Sequence, residues 1–391
     1  MFYFDNEDSN DFLSTKYPSR LSVDGYVYNN LSEFIEEMKA KAEDIGNDID
    51  LGELLVNGEI TKFIQNPNLI QRLLDIKGNI VDISKNPEYP DNFIGKLLVC
   101  IRENIKKYKR LTIASWNVNG IRTNILRPGS IKKCPKKDIG IENNSNLRKL
   151  IEMTNPEIIC FQETRCGKDT GDCISVKEYP YRYWNCSKKS GARGSGYSGT
   201  AIWTKIKPIN VQYSLPTLPE EDQEGRIIIA EFSKFTLINV YVPNSLSNEE
   251  YRLQVWDPSL FDYLCQLKLE GKKVVICGDF NVAHTENDVW FRNTNQRIAG
   301  VLPEEKIGMT KFLTEYTDIF RRFYPTVDNM YTWWSMRNKL SKELNKGWRL
   351  DYFLITPNLE NNILTTNIWK NIDGSDHAPI TITIRFKNIS N

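Results

Sequence analysis

The sequence predicts an α/β protein: two packed mixed sheets flanked by helices, a four-layer α/β/β/α sandwich, preceded by a small helical N-terminal domain. Three observations predict it. Short β-branched and aromatic runs fill the chain from residue 111 onward, helical stretches fall between some of them, and residues 1–108 show helical periodicity instead.

In the N-terminal part, Leu31, Phe34, Ile35 and Met38 recur at i, i+3, i+4 and i+7, and Ile70, Leu73 and Leu74 form a similar stripe before Gly78. Ile94, Leu97, Leu98, Ile101 and Ile105 give a third helix, so the expected product is a small bundle. Asn86 to Asp91, with Pro87 and Pro90, reads as a loop inside it. The basic run Lys106, Lys107, Tyr108, Lys109, Arg110 reads as a solvated linker, with a nuclear signal or a phosphate contact as the alternatives.

From residue 111 the runs LTIASWNV, EIICF, YRYWN, TAIWT, RIIIAEF, FTLINVYV, KVVICGDF, LDYFLIT and ITITIRF are expected strands. Several are apolar on both faces, as in strands covered on both sides. Helices are expected at Leu147–Met153, Glu249–Leu269 and Met309–Phe320. Between Asn124 and Asn146 lies a long basic loop with Arg127, Lys132, Lys133, Lys136 and Lys137. The expected domains are therefore 1–108 and 109–391.

With 40% hydrophobic and 26% charged residues, the composition excludes disorder as the main state. Lys and Arg (51) almost balance Asp and Glu (50), but the balance hides two unlike parts. Residues 1–108 hold 12 basic and 19 acidic groups, which leaves 39 against 31 for the remainder. If one part meets a polyanion, it is the second. The acidic start MFYFDNEDSN is unlike a signal peptide, and no apolar run approaches the roughly 20 residues of a membrane span. An intracellular, soluble protein with no membrane partner is expected. The eight cysteines form no C-x-x-C pair, and neither of the two histidines completes a zinc site.

Polar groups recur at strand ends: Asn117 after LTIASW, Glu163 after IICFQ, Asp279 and Asn281 after VVICG, Asp351 in WRLDYF, and Asp376-His377 before APITI. Carboxylates gathered in one site repel unless a cation is present, and oxygen ligands without a Cys/His cluster select a hard ion such as Mg²⁺. The chemistry implied is phosphoryl transfer, where a metal, an acid/base pair and amide donors neutralise the phosphodiester and activate water.

The motifs SWNVNGIR, FQETRC, GYSGTAI, NVYVPN, CGDFNVAH, YTWW, GWRLDYFLIT and SDHAPI, in this order, resemble the exonuclease III type of apurinic/apyrimidinic endonuclease, within the endonuclease/exonuclease/phosphatase superfamily. The resemblance covers residues 110–386. It implies a nuclease that cuts duplex DNA on the 5′ side of abasic sites in base excision repair, with 3′-to-5′ exonuclease or 3′-phosphodiesterase activity beside it. Mg²⁺ is the implied cofactor, with Mn²⁺ as a substitute. By the same resemblance, Glu163 is the principal metal-binding carboxylate, with Asn117, Asp279, Asn281, Asp376 and His377 around the ion. Asp351 and His377 form a carboxylate–imidazole pair, Asp279 aligns or deprotonates the attacking water, Asn281 holds a phosphate oxygen, and Tyr241 contacts the same phosphate. Asp279 and His377 both remain open as the base. His284 and Asp288 are expected to support the site without touching substrate.

An abasic nucleotide must leave the helix, and a pocket for a sugar without a base can be narrow and apolar. Trp333, Trp348 and Leu350 resemble its walls, and Trp334 reads as core. Arg122, Arg165, Tyr197, Asn244 and Asn295 match positions that touch DNA. Such backbone contacts set affinity and salt dependence without reading sequence. Ser247, Asn119 and Ile298 depart from residues common at those places, and Arg165 keeps the charge of a lysine. Two other readings stay open: a phosphoinositide or phospholipid phosphatase on the same core, since fold does not fix substrate, and a non-catalytic DNA-binding scaffold. A monomer is expected, with the acidic N-terminal part as an appendage for a protein partner.

Overall fold

The computed structural model describes residues 2–4, 6, 8, 11–19, 21–23, 26–45, 51–83, 92–121, 145–167, 174, 176–188, 196–218, 224–291, 297–338 and 340–387. The chain divides into two compact units: Met1–Arg110 with Met153–Asn155 and Arg385–Asn391, and Leu111–Glu152 with Pro156–Ile384. The loops expected at 86–91 and 124–146 fall almost wholly outside the described residues, as do Arg122 and Asn295.

The first unit contains helices α1 (Leu31–Ile45), α2 (Leu51–Gln65), α3 (Pro67–Asp75) and α4 (Phe93–Lys107). Leu31, Phe34, Ile35, Leu73, Ile94, Leu98, Ile101 and Ile105 share one buried cluster, so the apolar stripes of α1, α3 and α4 are its inner faces. Besides the helices, the described residues include four strands that the periodicity does not announce. β1 (Phe2–Phe4) pairs in parallel with β4 (Ile80–Asp82), and β2 (Leu21–Val23) pairs with β3 (Tyr26–Tyr28). Three-residue strands are too short to show an alternation. The run 106–110 is not a linker: it ends α4 and begins the next strand.

The second unit is built on two six-stranded sheets. One takes β5 (Tyr108–Asn117), β6 (Ile158–Gln162), β7 (Tyr181–Asn185), β8 (Thr200–Thr204), β17 (Ile363–Ile368) and β18 (Ile380–Lys387), in the order β17-β18-β5-β6-β8-β7. The other takes β9 (Asn210–Gln212), β10 (Ile227–Glu231), β11 (Thr236–Tyr241), β12 (Val274–Asp279), β13 (Thr317–Asp318) and β16 (Asp351–Ile355), in the order β13-β16-β12-β11-β10-β9. Both are mixed: β5 and β6 run parallel, as do β11 and β12, while β17–β18, β6–β8, β7–β8, β9–β10, β10–β11, β12–β16 and β13–β16 are antiparallel. A small pair, β14 (Trp333–Trp334) and β15 (Gly347–Trp348), stands apart from them.

Every residue of β6, β8, β11, β12 and β16 is buried, because one face meets the other sheet and the other face meets helices. Across the sheet interface, Gln162 Nε2 donates to Asn239 Oδ1 at 2.7 Å, and Asn239 Nδ2 donates to the carbonyls of Phe161 and Ala201 at 3.1 and 2.9 Å. This buried amide pair fixes the registration of β11 against β6 and β8.

The flanking helices are α5 (Asn146–Thr154), α6 (Ser245–Tyr251), a π-helical turn (Arg252–Trp256), α7 (Asp257–Leu269), α8 (Pro303–Glu315) and α9 (Ile319–Phe323). Trp256, Leu260, Leu264, Met309 and Phe312 pack on Ile238, Val240, Ile276 and Leu354. The helix expected at Met309–Phe320 begins earlier, at Pro303, and breaks at Tyr316, where the chain enters β13. Among the described residues, no helix is long and apolar enough to cross a membrane.

Candidate active site

Strand register builds half of the site. β11 and β12 are parallel neighbours with Tyr241 opposite Asp279, and β12 and β16 are antiparallel neighbours with Asp279 opposite Asp351. The three side chains therefore stand in one row across three adjacent strands. Gly278 makes the close approach possible. A Cβ there would lie 1.9 Å from the Val240 carbonyl oxygen, and its φ of +140° suits glycine alone.

The facing sheet supplies the rest. Asn117 ends β5 opposite Gln162, Glu163 follows β6, and His377 precedes β18. His377 Nδ1 donates to Asp351 Oδ2 at 2.8 Å, while its Nε2 lies 3.8 Å from Asp279 Oδ2. Asn117 Nδ2 donates to both Asp279 Oδ2 (2.8 Å) and Glu163 Oε1 (3.0 Å), and Asn117 Oδ1 accepts from the Asn119 backbone at 3.1 Å. The amide thus turns its nitrogen to the two carboxylates and ties one sheet to the other.

Burial acts on these groups in opposite directions. It pulls the His377 imidazole down, but Asp351 and then Asp279 more than offset it and hold the ring charged, up to about 10. Burial raises Asp279; the charge of His377 pulls back, and Asp351 and Glu163 push again, leaving the carboxyl at about 7. Burial also drives the Tyr241 phenol well above its ordinary value, with Glu163 adding to it and Arg226 opposing.

Asn281 sits with φ +49°, its backbone N–H on Asp279 Oδ1 at 2.8 Å and its Nδ2 on the Val242 carbonyl at 2.9 Å. Asn244 caps α6 through Leu246 N and donates to Asn281 Oδ1 at 3.1 Å, so it orients the Asn281 amide. Tyr197, 38% exposed, accepts from Arg226 Nη2 at 2.9 Å. Arg165 places Nε 3.0 Å from Glu163 Oε2.

Beside this row lies an apolar patch. Ala283, Val289, Val301 and Leu350 are buried together, and Ile298, Trp333 and Trp348 pack against them half-buried. The two indoles lie 5.3 Å apart at 56°, and Trp333 Nε1 donates to Asp376 Oδ2 at 3.1 Å, which joins the patch to the site. Gly300 leaves room for Trp348, since a Cβ there would stand 2.7 Å from the indole. Trp334 is core, 3% exposed.

Residues 114–377 match the model of the Endonuclease/Exonuclease/phosphatase family. The chain belongs to that family. It is 38% identical to DNA repair nuclease APEX1 of Danio rerio over 70% of this chain and 81% of that protein, and 34% identical to an exodeoxyribonuclease of Bacillus subtilis over 70% and 99%. Among solved structures it resembles the AP endonuclease of Leishmania major, with a TM-score of 0.59 and 24% identity over 81% of this chain and 98% of that one.

Nucleases of this family are metal-dependent, and the oxygen donors here suit a hard cation. Among the described residues one group of three such donors is gathered. Asp279, Asp351 and His377 offer atoms within 4.8 Å of one another, but the imidazolium already neutralises those carboxylates, and a cation there would have to displace it. Glu163 lies outside this group and is joined to it through Asn117 Nδ2, which donates to both Glu163 and Asp279. Glu163 keeps 15% of its side chain exposed against 1% for Asp279, and Arg165 already sets a positive charge on it. Glu163 is therefore the more open of these two carboxylates.

Asp288 and His284, both expected to support the site, are placed differently, and two arginines that no motif singles out join them. Asp288 is fully buried; it accepts from Arg349 Nε at 2.7 Å, Arg321 Nη2 at 2.5 Å and Thr285 N at 2.9 Å, and Arg349 Nη2 also reaches Asp318 at 2.8 Å. This buried network locks the strand end that carries Leu350 and Asp351. Strand alternation in GWRLDYF, which turns Arg349 away from Trp348 and Leu350, is the signal that could have found it. His284 bonds Thr310 Oγ1 at 2.9 Å and stands outside the row. Arg226, absent from every motif reading, stacks its guanidinium 4.6 Å from the Tyr241 ring centroid while bonding Glu224 and Tyr197.

Proposed function

We propose that this chain is a DNA repair nuclease that hydrolyses the phosphodiester 5′ to abasic sites in duplex DNA, with Mg²⁺ as its ion and a monomer as its working form. The observation that carries the reading is the adjacency of the Asp279–His377–Asp351 cluster to the Trp333–Trp348–Leu350 patch, which Trp333 joins through Asp376. The first hydrolyses a phosphodiester, and the second admits a sugar that lacks its base. Relatives named DNA repair nuclease APEX1 and DNA-(apurinic or apyrimidinic site) endonuclease, at 38% and 32% identity, support it.

On this reading each group has one task. Asp279, with its proton affinity near neutrality, takes a proton from the attacking water. His377, kept charged by Asp351, donates to the phosphate and does not serve as the base. Asn281 and Tyr241 donate to the same phosphate, and Asn117 holds Asp279 and Glu163 in mutual position. A divalent ion held by Glu163 and Asp376 would stabilise the leaving oxygen. Asn244, Tyr197 and Arg165 would seat the DNA backbone, as would Arg122 and Asn295 outside the described residues.

The test offers an abasic duplex, an undamaged duplex and a phosphoinositide, each with Mg²⁺ and with chelator. Cleavage of the abasic duplex alone, lost with chelator, is expected. An intact abasic duplex, or turnover of the phosphoinositide, overturns the reading. Asp279→Asn should bind the abasic duplex and leave it uncut.

A further inference from the structure

One part of the surface next to the pocket is not used by this chemistry. After buried Asp288 and Val289 the chain turns out Trp290, which is 45% exposed. Its position is fixed: Trp290 N donates to Gly347 O at 3.1 Å, and Val289 bridges to Trp348 in the same extended pairing. Alternation along that pairing sends Val289 into the apolar patch and Trp290 outward.

Four rings then form an unbroken series from solvent to the site. Trp290 lies 5.3 Å from Phe291, Phe291 6.0 Å from Trp348, and Trp348 5.3 Å from Trp333, which donates to Asp376. Lys346 sets its ammonium 5.1 Å from the Trp290 ring centroid. A surface indole beside a cation, continuous with a pocket for a nucleotide sugar, has the two elements a nucleotide needs: a π face for the base and a positive charge for the phosphate.

We propose that Trp290 and Lys346 form a stacking subsite for one unpaired nucleobase of the substrate strand, adjoining the abasic residue. In a paired duplex every base face is already stacked, so this platform is idle there. It engages when a neighbouring nucleotide is unpaired, by a mismatch, a gap or a frayed end. Lys346 carries its charge on a flexible four-carbon stem, so it can yield the ring to the base and follow to the attached phosphate. The subsite would favour abasic residues in partly single-stranded DNA without reading sequence, because every base has a π face.

The inference rests on the nuclease reading above, and its test separates the two. Binding is measured with chelator present for an abasic duplex that is fully paired and for duplexes unpaired 5′ or 3′ of the abasic residue. Cleavage of the paired duplex is measured with Mg²⁺. Trp290→Ala is expected to weaken binding to one of the unpaired substrates by about fivefold to a hundredfold, the range of base–aromatic stacking, and to leave the paired duplex unaffected in binding and cleavage. Trp290→Phe should keep most of the affinity, and Lys346→Glu should weaken the same substrate selectively even if Trp290→Ala fails to fold. Equal effects of these variants on paired and unpaired substrates, or none on either, overturn the subsite. If the wild type leaves the paired abasic duplex whole, the nuclease reading falls first.

Discussion

The Asp288–Arg349 network lets stability be tested apart from chemistry. In Asp288→Ala, Arg349 loses its contacts at 2.7 and 3.2 Å, Arg321 loses its contact at 2.5 Å, and the turn loses the cap on Thr285. Arg349 is 1% exposed, so its charge stays buried with Asp318 as the remaining carboxylate. Breaking a buried pair from one side costs about 3–5 kcal/mol, and the surviving Asp318 contact sets the expectation at the lower end, about 3 kcal/mol. For a unit of this size that lowers the melting temperature by roughly 6–12 °C. All nine tryptophans lie between residues 116 and 369, so indole fluorescence follows the catalytic unit alone. Urea unfolding followed in this way gives the loss directly. The reasoning fails if the loss is under about 1 kcal/mol, or if Asp288→Ala and Arg349→Leu add within about 0.5 kcal/mol, as independent sites do. The pH dependence has a definite sign as well. Although burial raises the Asp288 carboxyl, Arg349 and Arg321 outweigh it and hold it below the ordinary carboxylate range. Its contribution is therefore fully present above about pH 4 and lost only as pH falls through the folded value. Asp288→Ala should remove that acid-labile portion.

Arg226→Gln removes the guanidinium from the Tyr241 ring and from Tyr197; a loss of about 2 kcal/mol for a desolvated cation–π contact corresponds to roughly thirtyfold in single-turnover rate. Arg226→Lys should recover part of it, and an unchanged rate with a lowered melting temperature would reduce Arg226 to a structural residue. Gly278→Ala drives a Cβ into the Val240 carbonyl and should cost at least about 3 kcal/mol in unfolding experiments; a fully stable variant would contradict the close approach of β11 and β12. Deleting residues 1–105 should leave abasic-site cleavage intact, and a folded truncation without activity would count against a separate appendage.

The residues divide by how they were legible. Asn117, Glu163, Asp279, Asp351 and His377 sit at the ends of runs whose β character is plain, so strand ends alone brought the candidates forward. Their pairing was not readable from spacing: that Asp279 opposes both Tyr241 and Asp351 is a matter of register between strands far apart in sequence. The buried polar connections were silent for the same reason. Gln162 and Asn239 look like ordinary strand polars until the two sheets meet, and Arg226 and Arg349 look like surface cations until their carboxylates are located. The short strands β13 to β15 and the break at Tyr316 are set by pairing partners and not by local pattern.

The same register explains why the chemistry is arranged in pairs. A carboxylate row within one sheet would repel itself, and burial would protonate it. The opposing sheet answers with one imidazolium and one amide nitrogen, each shared between two carboxylates: His377 between Asp351 and Asp279, and Asn117 between Asp279 and Glu163. Asp279 is the member common to both pairs. It is held by the amide and by the Asn281 backbone, yet burial raises its proton affinity to about 7, and the imidazolium that pulls it back is 3.8 Å away and already committed to Asp351 at 2.8 Å. On the proposed reading, that inequality between two distances separates the group that exchanges a proton, Asp279, from the group that keeps its own, His377.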